Sequence, residues 1–228
     1  MRKKLDIRIN NISAPVISGS VLNENEIAVW RCDISQLSGD IAGKMHLLTP
    51  DETERCGRYL READRVRFAG GRIYTRIIAG MYLSVSPENI IIRTDENQKP
   101  FIESPGRKLY HNISHSGNYI LFAFSYNTEV GIDVEEITDK NDIDSLCRVF
   151  HPKERDIITG TRNNKLFYRY WTAKEAYVKA VGRGLLIDFS DFYISEDDIV
   201  YSINGAATDY RIVRLSDSDN YAEAMSYK

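Results

Sequence analysis

Apolar and polar residues alternate with a period that changes several times along the chain, and each change marks an element. In "NEIAVWRCDI" (25–34) the β-branched and aromatic residues cluster as in a strand. "TPDETERCGRYL" (49–60) predicts a helix with Thr49 as N-cap, Pro50 in the first turn and Glu52 at the reciprocal capping position. In "GGRIYTRIIAGMYLSV" the pairs Ile73/Ile77 and Tyr74/Ile78, with Met81, recur at helical spacing and predict a core helix. "ENIIIR" reads as a short strand, and "YHNISHSGNYILFAFS" with "TEVGIDVEEI" as consecutive strands turned at Ser116, Gly117 and Asn127. "HPKERDIIT" and "NKLFYRYWTAKEAYVKAVG" read as helices, the second stopped by Gly182 and Gly184, and "DFYIS", "DIVYSI" and "DYRIVRL" as closing strands.

The pattern contains a long helix followed by a short strand twice, which predicts two similar α+β halves, residues 1–126 and 127–228, joined near Tyr126 to Thr128. No fixed-period repeat and no low-complexity tract interrupts them.

Composition narrows the class. The 228 residues are 43% hydrophobic and 28% charged, the balance of a globular protein. The basic start "MRKKLDIRINNISAP" has no apolar stretch behind it, and "YILFAF" is too short to span a bilayer, so the expectation is a cytoplasmic protein without a membrane partner. Cys32, Cys56 and Cys147 are widely spaced and read as reduced, structural residues.

The net charge of −3 conceals a local cationic segment holding Arg55, Arg58, Arg61, Arg65, Arg67, Arg72 and Arg76. Two readings stand: a solvated helix face, since Glu52, Glu54, Glu62 and Asp64 are interleaved at i,i+3 and i,i+4 distances, or a site for phosphates or an acidic protein. An acidic chain without an aromatic-interleaved basic module speaks against nucleic acid.

Candidate chemistry lies in three places. Asp133 and Glu135 are two apart on a predicted strand and project from one face, with Gly131 leaving room for close approach. They read either as a wet strand end or as oxygen ligands for a hard cation. Trp171, Glu175 and Lys179 form an i, i+4, i+8 stripe, so Glu175 is the natural third carboxylate; the plainer reading is a surface ion pair with Lys179. Ser114 and His115 precede a glycine turn that permits close approach of a ligand, and His115 reads either as a structural histidine or, with Ser114, as part of a phosphate site. No nucleophile elbow, Walker loop, dinucleotide fingerprint or HExxH helix is present in the sequence, which excludes several common enzyme classes.

Taken together, "NISHSG" (112–117), "GIDVE" (131–135) and "WTAKEAYVK" (171–179) resemble, in order and separation, the motifs of the 4′-phosphopantetheinyl transferase superfamily in its longer, Sfp-type form, with weaker similarity from Thr49 to Leu185. The resemblance implies an α+β fold of two halves related by pseudo-twofold symmetry, each a small antiparallel sheet packed on a long helix, with coenzyme A in the cleft between them. It implies transfer of the phosphopantetheine arm of coenzyme A to a serine of an apo acyl or peptidyl carrier protein, releasing adenosine 3′,5′-bisphosphate, by a monomeric enzyme. The carrier could belong to fatty-acid, polyketide or peptide synthesis.

By the same resemblance Asp133, Glu135 and Glu175 would hold Mg²⁺, with Mn²⁺ as the alternative, and Glu175 would take or relay the serine proton. Lys179 would meet the pyrophosphate and assist the leaving group. Arg55, Arg67, Lys99, Ser114 and His115 would bind coenzyme A phosphates, while Trp171 and Lys174 would support the helix. One departure stands out: where some relatives carry two basic residues at the 3′-phosphate, this chain has Glu52 and Arg55. Two other readings remain, a nucleotide-using Mg²⁺-dependent phosphotransferase, for which no phosphate loop is visible, and an inactive carrier-binding relative, which would be expected to have lost a carboxylate or Lys179.

Overall fold

The computed structural model describes residues 5–12, 21–104, 106–139, 141–161, 163–182, 187–216 and 218–228. They form two compact units, one of Met1–Asp95 with Pro100–Asn127, the other of Glu96–Lys99 with Thr128–Lys228. The sequence reading foresees one cut after residue 126 and not the transfer of Glu96–Lys99 to the second unit.

The first unit runs β1 (Asp6–Asn11), β2 (Glu26–Asp33), α1 (Ile34–Gly43), α2 (Pro50–Gly57), α3 (Glu62–Leu83), β3 (Ile91–Thr94), β4 (Pro100–Glu103), β5 (Tyr110–Ser116) and β6 (Tyr119–Ser125). Its sheet has the order β1-β2-β6-β5, with β3-β4 a separate hairpin. The expected small antiparallel sheet is present as β2-β6-β5, and β1 extends it by pairing parallel to β2, with Asp6 opposite Glu26. The chain between Asn11 and Glu26 is long enough for the crossover that a parallel pair requires. One apolar face of α3, carrying Ala69, Ile73, Ile78 and Tyr82, packs into a core with Ala28, Trp30, Phe122 and Phe124 from β2 and β6.

The second unit runs β7 (Val130–Glu136), α4 (Ile143–Leu146), α5 (Pro152–Thr161), α6 (Asn164–Val181), β8 (Phe192–Ile194), β9 (Ile199–Ser202), β10 (Ala207–Arg214) and β11 (Tyr221–Tyr227). Its sheet, β7-β11-β10-β9-β8, is antiparallel throughout. Leaving β1 aside, the two units share one order: a strand (β2 or β7), three helices, then strands of which the last pairs antiparallel with that strand, β6 on β2 and β11 on β7. No described helix is long and apolar enough to cross a membrane.

Candidate active site

In the second unit the site depends on how closely α6 approaches β7. Asn163 caps the start of α6 by accepting from Leu166 N, and Gly182 ends it at φ 74, a left-handed value that glycine adopts without strain. Gly184 lies outside the described residues. A Cβ at Gly131 would stand 2.0 Å from the carbonyl oxygen of Ala176 and 2.3 Å from Ala180 N, so the room left by this glycine is filled by α6 and not by a ligand. Ala173, Ala176 and Ala180 on the helix and Ala222 and Ala224 on β11 are all buried, leaving thin side chains along the contact.

Lys174 fixes the rotation of α6. It is fully buried, and its Nζ donates to Glu154 Oε2 at 2.6 Å and to the Phe192 carbonyl at 2.7 Å, while Glu154 Oε1 accepts from Ile194 N at 2.8 Å. The Phe192 ring lies 3.9 Å from the ammonium. Burial pushes Lys174 down to about 8 and pushes the Glu154 carboxyl up, each opposed by the charge of the other. Trp171 packs among Phe150, Phe167 and Phe189. Lys174 and Trp171 are thus structural anchors, and the same helix turn presents Glu175 and Lys179 along its half-buried edge.

On β7, residues 131, 133 and 135 share the face that meets α6. Asp133 is 2% exposed, and its Oδ1 accepts a hydrogen bond from Lys179 Nζ at 2.6 Å; the same ammonium reaches the Ile132 carbonyl at 3.4 Å. The Glu175 carboxyl is pushed above its ordinary value first by burial and further by the charge of Asp133, against the opposing pull of Lys179. Glu135 is half-buried near the end of β7, opposite Ala222.

Among the described residues no group of three His, Cys, Asp or Glu side chains is assembled to hold a metal ion. Asp133, Glu135 and Glu175 are thus not gathered as a three-ligand group here: Lys179 supplies the positive charge at Asp133, and the Glu175 carboxyl is raised first by burial and then by the charge of Asp133. The donor set itself fits a hard cation, being oxygen-only with charge in excess of the single lysine.

The first unit contributes a cavity of about 170 Å³ lined by Arg55, Arg67, Phe68, Arg72, His111 and His115, among others. Helical spacing puts Phe68, Arg72 and Thr75 of α3 on one face, and the period of two puts His111, Ile113 and His115 of β5 opposite. His115 is exposed at this wall, whereas Ser114, one residue earlier and buried, points to the other face of β5 and does not line the cavity. Arg67 is engaged already, donating to the Gly117 carbonyl at 2.6 Å and to Asp64. Arg72 and His111 are lining residues that the motifs do not reveal; the helical spacing from Phe68 was the available signal for Arg72.

Lys99 belongs to the second unit. Its Nζ donates to the Ala180 carbonyl in the last turn of α6 at 3.3 Å, and its stem lies against Gly182, where a Cβ would come within 3.2 Å. A cation there complements the negative end of the helix.

Comparison with known proteins defines the class. Residues 129–224 match the family model of the 4′-phosphopantetheinyl transferase superfamily, and residues 30–127 match that of the 4′-phosphopantetheinyl transferase N-terminal region. The 4′-phosphopantetheinyl transferase HetI of Nostoc is 35% identical over 173 residues, covering 72% of each chain. A putative 4′-phosphopantetheinyl transferase of Synechocystis is 33% identical over 69% of this chain and 65% of its own, and the 4′-phosphopantetheinyl transferase gsp of Aneurinibacillus migulanus 33% identical over 64% and 62%. The chain belongs to the 4′-phosphopantetheinyl transferase superfamily.

Proposed function

We propose that this protein transfers the 4′-phosphopantetheine arm of coenzyme A to a serine of an apo acyl or peptidyl carrier protein. The observation that carries the reading is the contact of α6 with β7, which brings Lys179 onto Asp133 and makes Glu175 sense the same charge. In the reaction the serine Oγ forms a bond to the phosphorus nearer the pantetheine, the bond from that phosphorus to the bridging pyrophosphate oxygen breaks, and adenosine 3′,5′-bisphosphate departs. Such transfers depend on positioning and charge neutralisation more than on covalent catalysis.

Glu175 is suited to accept the serine proton, because burial raises the affinity of its carboxylate for a proton. Lys179 is suited to the departing phosphate once it exchanges Asp133 for substrate. Asp133, Glu135 and Glu175 would hold Mg²⁺ or Mn²⁺, whose chemistry when bound is neutralisation of the pyrophosphate. Arg55, Arg67 and His115 would meet coenzyme A phosphates from the first unit, and Lys99 and Ser114 are further candidates. Mass spectrometry of apo-carriers after incubation with the protein, coenzyme A and Mg²⁺ tests the reading. The expected result is a gain equal to one phosphopantetheine group on serine; unmodified fatty-acid, polyketide and peptide-synthetase carriers alike would sink it.

A further inference from the structure

Glu52, the residue that departs from the family pattern, has three partners. It closes the capping box of α2, its Oε2 accepting from Thr49 N at 3.0 Å while Thr49 Oγ1 accepts from Glu52 N. Across to α3 it pairs with Arg76 at 2.9 Å and lies 3.6 Å from Arg72 Nε. Arg76 is buried at 3% exposure and is spent on this contact. Arg72 is different: it is half-buried, lines the cavity, and among the described residues its guanidinium donates no hydrogen bond. Its Cζ lies 5.8 Å from the centroid of the Phe68 ring, and that of Arg55 lies 5.2 Å from the same ring.

Two guanidinium groups therefore share one aromatic platform on the cavity wall. Burial, with the like charges of Arg76 and Arg55 acting against the carboxylate of Glu52, pushes Arg72 below its ordinary value. Forked donors of this kind match a phosphate monoester, which carries more charge than a diester and offers three terminal oxygens.

We propose that Arg72 is a specificity residue that reads, together with Arg55, the terminal 3′-phosphate monoester of the substrate, and that Glu52 positions it from α2. The cation absent at position 52 is thereby replaced from α3. The proposal rests on the reading of coenzyme A as substrate.

The test compares coenzyme A with dephospho-coenzyme A as donors, using wild type, Arg72→Gln, Arg72→Lys and Glu52→Gln. Losing a hydrogen bond to a charged group raises KM for coenzyme A by roughly 10- to 100-fold in Arg72→Gln. Dephospho-coenzyme A should be unaffected, Arg72→Lys should recover part of the loss, and Glu52→Gln should move KM in the same direction by less. An equal effect on both donors, or no effect, overturns the proposal. Calorimetric titration of wild type and Arg72→Lys with adenosine 3′,5′-bisphosphate and adenosine 5′-monophosphate keeps the test valid if Arg72→Gln does not fold: a lysine variant without reduced preference for the bisphosphate also overturns it. Wild type inactive with coenzyme A on every carrier would instead overturn the functional reading, while the calorimetric comparison would still decide the role of Arg72.

Discussion

At the scale of single residues, the polar groups divide into those satisfied inside the fold and those turned toward chemistry. Lys174 and Glu154 satisfy one another and two backbone groups. Glu175 is held where its charge is disfavoured. A carboxyl raised above its ordinary 4.5 binds its proton more tightly in the folded chain, so the stability present at low pH is lost as pH rises through that raised value. Glu175→Gln removes this component. Its melting temperature should gain on wild type as pH climbs from the ordinary carboxylate range and level off once wild-type Glu175 is ionised, while carrier modification is abolished. A variant that loses stability and activity together, measured by thermal melts across pH beside the carrier assay, would assign Glu175 to the fold instead.

At the scale of elements, much was legible. Thr49, Pro50 and Glu52 announced the capping box of α2, and the apolar spacing announced α3, because caps and helical periodicity are local. The stripe Trp171, Glu175, Lys179 and the shared face of Asp133 and Glu135 were legible for the same reason. What escaped is non-local. Arg58–Glu54 and Arg67–Asp64 are the short-range pairs that spacing predicts, but the partners of Glu52 and Lys174 come from α3 and α5. The strand β11 escaped because "YAEAMSY" is poor in β-branched residues; its alanines suit the close seat of α6, which a single sequence does not reveal. That seat gives a test. In Gly131→Ala a methyl would overlap backbone of α6, where side-chain repacking brings no relief. The cost should be about 3 kcal/mol, the upper end of ordinary overpacking, read by urea denaturation. Carrier modification should fall because Lys179 and Glu175 move away from Asp133. A stable, fully active variant would show that close approach is dispensable.

At the scale of the whole molecule, one α+β order is used twice, and the repeats hold different chemistry: arginines and histidines in the first unit, carboxylates and Lys179 in the second. Each set is built from its own unit's elements, so damage to one should leave the other standing. Asp133→Ala deletes a nearly buried carboxylate and leaves Lys179 without that acceptor, but every residue lining the arginine cavity belongs to the first unit. Carrier modification should then be lost and not restored by added Mg²⁺, while binding of adenosine 3′,5′-bisphosphate without metal, read by calorimetry, stays within about threefold of wild type, the scale of a fraction of a kcal/mol. Wild type should lose turnover in excess EDTA and regain it with Mg²⁺, since an oxygen-only donor set and a pyrophosphate substrate favour a hard cation. Wild-type turnover that persists in EDTA would remove the carboxylates from metal binding. Loss of bisphosphate binding in Asp133→Ala would show that the two sets of residues are one energetic unit, because a substitution confined to β7 would then have altered a cavity made by α2, α3, β4 and β5.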